Sequence, residues 1–168
     1  MVDWTPIPIH TSIEEISLNI GCGMNINRRK IGNGSPVYII AELSANHGQS
    51  FERAVELIHL AHRAGADAVK LQTYTADTLT LDSEKPSFQI CQGTAWDGQS
   101  LYDLYRAAQT PWHWHRELKE IAHQLGLDFF SSPFDPSAVE FLASLDVPAY
   151  KIASFEIVDI PLLRIVGQ

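Results

Sequence analysis

The chain has 168 residues, of which 45% are hydrophobic and 19% charged, a balance that is typical of a globular domain and excludes disordered and collagen-like chains. It carries 12 Lys and Arg against 20 Asp and Glu residues, a net charge of −8, so it lacks the basic excess with which proteins bind nucleic acid. With no apolar run long enough to span a membrane, no secretory segment and no CxxC spacing between its two cysteines, it is predicted to be cytoplasmic and to bind neither membranes nor nucleic acid.

The first 35 residues show no sustained helical or strand periodicity, and they run into the turn-forming sequence GNGSP at residues 32–36. We therefore expect a leader of uncertain structure over residues 1–35. Residues 1–23 resemble no family, which leads to the hypothesis that Met24 is the natural start.

From residue 36 onwards, short apolar strands alternate with amphipathic helices. The apolar run at 37–41 predicts a buried first strand that ends near Leu43, and Ser50 is placed to cap a helix that Gly65 ends. Residues 66–71 predict the second strand. This strand, helix and strand order calls for a right-handed crossover and a parallel sheet.

The alternation repeats in the second half of the chain. Thr110, followed by proline, predicts the start of a second helix, and residues 127–131 predict the third strand. Asp135 predicts the start of a third helix that ends before Pro148, and residues 149–153 predict the fourth strand. The sequence thus predicts an α/β fold with four parallel strands.

The connection over residues 73–111 is too long for an ordinary βα loop. Residues 101–108 predict a short helix within it. Two interpretations stay open, a decorated surface insertion and a loop that shapes the mouth of a substrate site.

Polar side chains occur at or just after the C-terminal end of each predicted strand. They are Glu42, Ser44, Asn46 and His47 after the first, Lys70, Gln72, Thr73 and Tyr74 at the second, Ser131, Ser132 and Asp135 after the third, and Lys151, Ser154 and Glu156 at the fourth. Parallel α/β proteins build their active sites on this side of the sheet. The pattern therefore predicts a functional site there.

Lys70 and Lys151 both lie inside apolar strand sequence, so we expect each ammonium to be buried beside a negative group. One interpretation is a structural ion pair with Glu42 or Glu156. A second is that the two lysines and the strand-end serine hydroxyls form a site for a phosphate or carboxylate. A third is that one lysine, with a pKa lowered by burial, forms a Schiff base.

The two strand-end carboxylates are candidates for acid and base chemistry. Glu42 follows a five-residue apolar run, so it is expected to face a buried polar site as a general acid or base. Glu156 could act in the same way, position a substrate hydroxyl or neutralise the nearby lysines.

The histidines do not form an evident metal site. His59 and His62 are predicted to lie on the surface of the first helix, and His113 and His115, at i and i+2, do not share a helical face. His47 lies at a strand end, but the sequence offers no second ligand beside it.

Four segments together resemble the sialic acid synthase family. They are IAELSANH at residues 40–47, AVKLQTYT at 68–75, FSSPFD at 130–135 and YKIASFE at 150–156. Within this family the pseudaminic acid branch is the most similar. This choice is based on the segments AELSANH, WDG at 96–98, LYDLY at 101–105, TPW at 110–112 and KIASFE. The resemblance covers residues 31–168.

The resemblance implies a (β/α)8 barrel, the TIM-barrel fold. Residues 36–168 would supply about the first four of its βα units. Family members are about twice as long as this chain, with a complete barrel and a small antifreeze-like domain. We therefore expect the C-terminal half and that domain to lie outside these residues, and the chain alone to be inactive.

The resemblance also implies a reaction, in which phosphoenolpyruvate condenses with the open-chain aldehyde of an N-acetylated 6-deoxy hexose, 2,4-diacetamido-2,4,6-trideoxy-altrose. Phosphate is released, and a nine-carbon 2-keto acid forms. A divalent metal ion, Mn or Mg, is implied, with ligands expected outside this chain because the family's two metal-binding histidines lie in the other half. The full-length protein is expected to be a homodimer.

Motif by motif, the resemblance assigns roles to the strand-end residues. Phosphoenolpyruvate would be held by Lys70, Ser132, Lys151 and Ser154. Glu42 and Glu156 would serve proton transfer, water activation or sugar positioning, and Gln72 would contact the sugar. Asn46 and Tyr74 complete the predicted substrate-binding set.

Three alternatives remain beside this function. The chain could come from an N-acetylneuraminate or legionaminate synthase, because these branches share the phosphoenolpyruvate half. It could belong to a barrel aldolase that uses a Schiff-base lysine. It could also be a non-catalytic half-barrel module that assembles with another half-barrel.

Overall fold

A computed structural model describes residues 23–91 and 93–168. The chain divides into two compact units, with the boundary between Val37 and Tyr38. Most of the predicted leader, residues 1–22, lies outside the described residues.

The first unit contains an antiparallel β-hairpin where the sequence predicted no strand. Strand β1 (Met24–Ile26) pairs with β2 (Arg29–Ile31), and Met24 lies opposite Ile31. Asn27, in the connecting turn, has a φ of 50°, a left-handed conformation that asparagine tolerates better than most residues. Strands of three residues are too short to show an alternating pattern, which is why the sequence did not indicate them.

The second unit is built on a parallel sheet in the order β3-β4-β5. The three strands are β3 (Ile40–Glu42), β4 (Ala68–Thr73) and β5 (Asp128–Pro133). The predicted parallel α/β architecture is confirmed for these three strands. The second and third strands extend two residues beyond their predicted C-terminal ends, and this extension brings more polar side chains into the sheet.

Six α-helices are present among the described residues. They are α1 (Phe51–Arg63), α2 (Ala76–Leu79), α3 (Leu101–Ala108), α4 (His115–Gln124), α5 (Pro136–Ser144) and α6 (Ile160–Val166). The predicted caps are confirmed at α1, where Ser50 accepts a hydrogen bond from the Arg53 N–H, and at α5, where Asp135 accepts from the N–H groups of Ser137 and Ala138. Helix α3 has the predicted bounds.

The long connection after β4 is tied to the rest of the unit. Gln109 accepts a hydrogen bond from the Ala76 N–H at the start of α2. Trp112 donates through Nε1 to the Tyr74 carbonyl at 3.2 Å, and Tyr102 on α3 donates to Asp77 on α2 at 2.9 Å. These bonds hold α2 and α3 together above the end of β4.

The prediction that Thr110 caps the second helix is wrong. The chain first makes a 3-10 turn over Trp112–Trp114, and α4 begins at His115. The Thr110 hydroxyl lies 3.0 Å from Nε2 of the buried His47 instead. The buried imidazole is thus the partner of the Thr110 hydroxyl, and the sequence around Thr110 does not indicate it.

The predicted fourth strand is reduced to a single bridge. Tyr150 pairs with Ser131 in parallel fashion, and the Lys151 N–H donates to the Ser131 carbonyl at 3.2 Å. The segment then turns into a 3-10 helix over Phe155–Val158. The segment pairs only with β5 in the described structure, and this pairing is limited to the single bridge.

The apolar core lies between the sheet and the helices. Val69 and Leu71 of β4 and Phe129 of β5 pack against Ile58 of α1 and Leu118 of α4, and all five are 0% exposed. Side chains alternate along a strand, so the residues between these core positions point to the opposite face of the sheet.

Candidate active site

The face of the sheet opposite α1 and α4 gathers four of the predicted site residues. Parallel pairing places Glu42 beside Lys70, and Gln72 beside Ser132. Paired residues, and residues two apart along one strand, project to the same side of a sheet. All four side chains therefore share one face at the C-terminal strand ends, which we call the site face.

Lys70 is the buried cation of the site face. It is 8% exposed, and its Nζ forms an ion pair with Oε2 of Glu42. Burial, and secondly the nearby Lys151 ammonium, lower the pKa of Lys70 to about 8. The side chain thus stays mostly protonated at neutral pH, which suits electrostatic binding better than nucleophilic attack.

Glu42 is more open than the sequence predicted. Its side chain is 41% exposed, because it ends β3 at the edge of the described sheet. The expectation that it faces a buried polar site is wrong. Its second oxygen, Oε1, accepts from both the backbone N–H and the hydroxyl of Ser44 at 3.1 Å. Together with the ion pair to Lys70, these bonds engage both oxygens of the carboxylate.

The expectation that Lys151 is buried is also wrong. Its side chain is exposed, because the chain leaves the sheet after the single bridge at Tyr150. The ammonium nevertheless lies close enough to lower the pKa of Lys70. Ser154 is exposed too, at the start of the following 3-10 helix. Of the predicted anion-binding set, Lys70 and Ser132 are therefore buried, and Lys151 and Ser154 are open.

A cleft of about 290 Å³ lies at the ends of β4 and β5. Residues that line it include Gln72, Tyr74, Tyr105, Phe134, Phe155 and Glu156, and we call it the aromatic cleft. Three predicted site residues meet here, namely Gln72, Tyr74 and Glu156. The sequence did not indicate the aromatic partners, although the predicted helix over 101–108 carries Tyr105.

One predicted residue lies elsewhere. Asn46 is exposed, and its Nδ2 donates to the Leu43 carbonyl at 3.1 Å. It lines a separate groove between β3 and α1 that also includes Glu42, Leu57 and Leu60. The structure therefore does not bring Asn46 together with the aromatic cleft.

A buried polar network on the helix side of the sheet escaped the sequence analysis. The Thr73 hydroxyl lies 2.8 Å from Nε2 of His115 and 2.7 Å from the Ser131 hydroxyl. His115 is 0% exposed, and burial lowers its pKa to about 4, so the imidazole is neutral at physiological pH. Its spacing from Leu118 and Ala122, at i+3 and i+7, was the available signal for a core-facing position.

Comparison with known families matches residues 57–168, two thirds of the chain, to the NeuB family. The chain belongs to the NeuB family. Its matched region includes β4, β5, the aromatic cleft and the polar network.

Curated relatives of this NeuB-family chain include two bacterial pseudaminic acid synthases. The Helicobacter pylori protein is 55% identical over 129 residues, which cover 77% of this chain and 38% of that protein. The Campylobacter jejuni protein is 50% identical over 142 residues, 83% of this chain and 41% of that protein. The chain thus spans about two fifths of the length of these relatives.

The fold is similar to that of a solved enzyme. The N-acetylneuraminic acid synthetase of Leptospira borgpetersenii, crystallised in complex with citrate, matches with a TM-score of 0.71 and 29% identity. The match covers 86% of this chain and 45% of that one. The predicted relation to the TIM-barrel fold is confirmed, with the NeuB-family chain forming a partial α/β structure on parallel strands.

The histidines that the sequence analysis considered as metal ligands are either buried in hydrogen bonds or exposed on a helix. His47 is buried, accepts at Nδ1 from the Gln49 N–H at 3.1 Å and has a pKa lowered by burial. His59 and His62 are exposed on α1, as predicted. Within residues 23–91 and 93–168, no group of three or more His, Cys, Asp and Glu side chains could hold a metal ion. No helix in this part of the chain is both long and apolar enough to cross a membrane.

Proposed function

We propose that this NeuB-family chain carries the phosphoenolpyruvate-binding part of a pseudaminic acid synthase. Identities of 55% and 50% to two proteins of that name support the choice of branch. The observation that carries the proposal is the buried Lys70 ammonium on the site face, beside Glu42 and one strand away from Ser132. A cation and hydroxyls at parallel strand ends suit a small phosphorylated acid.

Lys70 and Ser132 would bind the inner oxygens of phosphoenolpyruvate. The exposed Lys151 and Ser154 would close on the outer ones, because both are accessible and the Lys151 charge already acts on Lys70. With a net charge of −8, the protein as a whole repels anions, so binding must depend on this local cationic pair. The phosphate and carboxylate groups of the ligand would compete with the Glu42 carboxylate for the Lys70 ammonium and would take over part of that ion pair.

In the proposed reaction, the methylene carbon of phosphoenolpyruvate attacks the aldehyde carbon of the sugar, forming the carbon–carbon bond. The aldehyde oxygen takes a proton and becomes a hydroxyl. Water adds at C2 and loses one proton, and the C–O bond to phosphate then breaks while the new C2 hydroxyl gives its remaining proton to the departing phosphate, which leaves the 2-keto group. Glu42 and Glu156 would accept or donate these protons. Gln72 and Tyr74, which line the aromatic cleft, would orient the sugar.

The divalent ion implied by the resemblance would polarise the sugar aldehyde when bound. The described residues offer no suitable ligand set for it, and no step above is assigned to it. We further propose that the full-length protein is cytoplasmic, in line with two cysteines that lack CxxC spacing, and that it acts as a homodimer, as the resemblance implies.

A calorimetric titration of the chain with phosphoenolpyruvate tests the proposal. Lys70→Ala is expected to weaken binding at least about tenfold, because one charged hydrogen bond of about 1.5–3 kcal/mol is lost. Lys85→Ala is the matched control, since it removes the same formal charge from an exposed position outside the site face. Equal binding by wild type, Lys70→Ala and Lys85→Ala, or no binding by any of them, would refute the proposal.

A further inference from the structure

The loop that follows β3 holds Ser44 in a backbone conformation that few residues adopt. Its φ is 47°, in the left-handed region. Three other described non-glycine residues have a positive φ, namely Asn27, Gln49 and Asp146. Asparagine and aspartate tolerate this region better than serine does. Backbone strain of this kind persists only where the surrounding structure enforces it, and it is frequent at functional sites.

Asn46 enforces the conformation of Ser44. Its backbone N–H and its Nδ2 both donate to the Leu43 carbonyl, at 3.2 and 3.1 Å, and close a turn over residues 43–46 that we call the strand-end turn. The Leu43 N–H donates to the Lys70 carbonyl at 3.0 Å, so the turn is tied to β4. Asn46 thus has a role in the strand-end turn that needs no contact with the aromatic cleft.

The left-handed conformation brings both donors of Ser44 to the Glu42 carboxylate. The backbone N–H and the hydroxyl each lie 3.1 Å from Oε1, while Oε2 pairs with Lys70. Hydrogen bonds to a carboxylate favour its ionised form over the carboxylic acid. Glycine would adopt the same φ without strain but would supply only the N–H. The hydroxyl is therefore the contribution that requires a serine at this position.

The surroundings of Glu42 offer no second cation among the described residues that line the groove beside it. The lining residues from α1 are Leu57, Leu60, Ala61 and Ala64, all uncharged. The Lys151 ammonium lies close enough to Lys70 to lower the pKa of that lysine. A ligand that took over both ammonium groups would leave Ser44 as the group that stabilises the negative charge of Glu42.

We propose that Ser44 is a positioning residue for Glu42, an inference that rests on the proposed function. When phosphoenolpyruvate takes over the Lys70 ammonium, Oε2 of Glu42 loses its cation and an anion lies beside it. Both effects favour protonation of the carboxylate. The two Ser44 donors stay on Oε1, so Glu42 remains ionised and in place beside the bound ligand, where it can accept a proton.

Calorimetric titration of the 168-residue chain with phosphoenolpyruvate tests this role. Titrations in two buffers of different ionisation enthalpy, repeated between pH 5 and pH 7, give the number of protons taken up on binding. Ser44→Ala removes the hydroxyl, and the pH at which Glu42 takes up half a proton is expected to move up by about one pH unit. Ser144→Ala is the matched control, because its hydroxyl bonds to the Phe141 carbonyl on α5 and its loss should leave proton uptake unchanged.

Ser44→Gly separates positioning from a merely structural role. Glycine relieves the strain at φ 47°, so this variant should unfold at the wild-type urea midpoint or above it, whereas Ser44→Ala should unfold at a lower one. Ser44→Gly should nevertheless show the same extra proton uptake as Ser44→Ala, because both lack the hydroxyl. A role in stability alone would instead return proton uptake to the wild-type value.

Glu42→Gln identifies the group that takes up the proton. The double variant Ser44→Ala/Glu42→Gln should take up as many protons as Glu42→Gln alone, since the amide cannot titrate. Extra uptake that persists in the double variant would overturn the inference, and so would equal uptake by wild type, Ser44→Ala and Ser44→Gly. In both cases phosphoenolpyruvate binding by the wild type leaves the proposed function standing. Failure of the wild type to bind phosphoenolpyruvate would overturn both.

Discussion

Acidification should destabilise the protein through the buried imidazole of His115. The ring is 0% exposed, and its Nε2 bonds to the Thr73 hydroxyl. Its Nδ1 is buried without a hydrogen-bond partner in the described part of the chain. Burial lowers the pKa to about 4, with a smaller contribution from His47, whereas the backbone of Pro111 and Trp112 acts in the opposite direction.

The magnitude follows from proton linkage. Because the pKa is lower in the folded than in the unfolded state, the unfolded chain binds more protons between about pH 6.5 and 4. The contribution of His115 to stability is therefore complete above about pH 6.5 and is lost as the pH falls. A drop from about 6.5 to about 4 corresponds to about 3 kcal/mol in the acid limit, of which about 2 kcal/mol is already lost near pH 5.

Urea unfolding near pH 7 and near pH 5 measures this loss. His115→Gln keeps an amide that can bond to Thr73 but cannot titrate, so its free energy of unfolding should fall about 2 kcal/mol less than that of the wild type between the two pH values. His59→Gln, at an exposed position on α1, is the matched control and should keep the wild-type pH dependence. Parallel pH dependence in wild type and His115→Gln would refute the reasoning.

Two further predictions concern the core and a helix cap. Leu118→Ala opens a cavity between α4 and the sheet at a position that is 0% exposed, and urea unfolding should show that the free energy of unfolding falls by about 2–5 kcal/mol. Leu81→Ala, at a side chain that is 67% exposed, should change the free energy of unfolding by less than about 0.5 kcal/mol. Equal losses in the two variants would contradict the assigned core. Asp135→Ala removes the cap of α5 and should cost about 1 kcal/mol by the same measurement, whereas Asp135→Asn should retain most of it; an equal loss in both variants would argue against capping.

Local signals account for the parts of the fold that the sequence predicted well. The apolar run before Lys70 indicates a buried strand, and Ala68, Val69 and Leu71 of β4 are 0% exposed. The run before Glu42 also predicted a buried strand, and this prediction is wrong: β3 lies at the edge of the described sheet, and Ile39 and Ile40 remain 52% and 42% exposed. Ser50 and Asp135 indicate helix starts because a cap bonds to N–H groups only two or three residues away. Such interactions join residues only a few positions apart in the chain, so a local sequence pattern is enough to predict them.

Tertiary partners decide the parts that the sequence missed. Residues 149–153 carry a strand-like pattern, but their pairing depends on what lies beside them, and only Tyr150 is bridged. The exposure of Lys151 follows from the same cause. Thr110 has the sequence of a cap, yet its hydroxyl bonds to His47, which is 63 residues away in the chain. No local pattern encodes that choice.

Strand alternation couples the polar network to the site face. Gln72 and Thr73 are consecutive on β4, as Ser131 and Ser132 are on β5, and each pair points its two side chains to opposite faces of the sheet. Thr73 and Ser131 bond to each other, and Thr73 also bonds to His115, which joins the strand ends to α4. A slip of one residue would move Gln72 and Ser132 to the helix side. The buried network therefore secures the register that holds Gln72 and Ser132 on the site face.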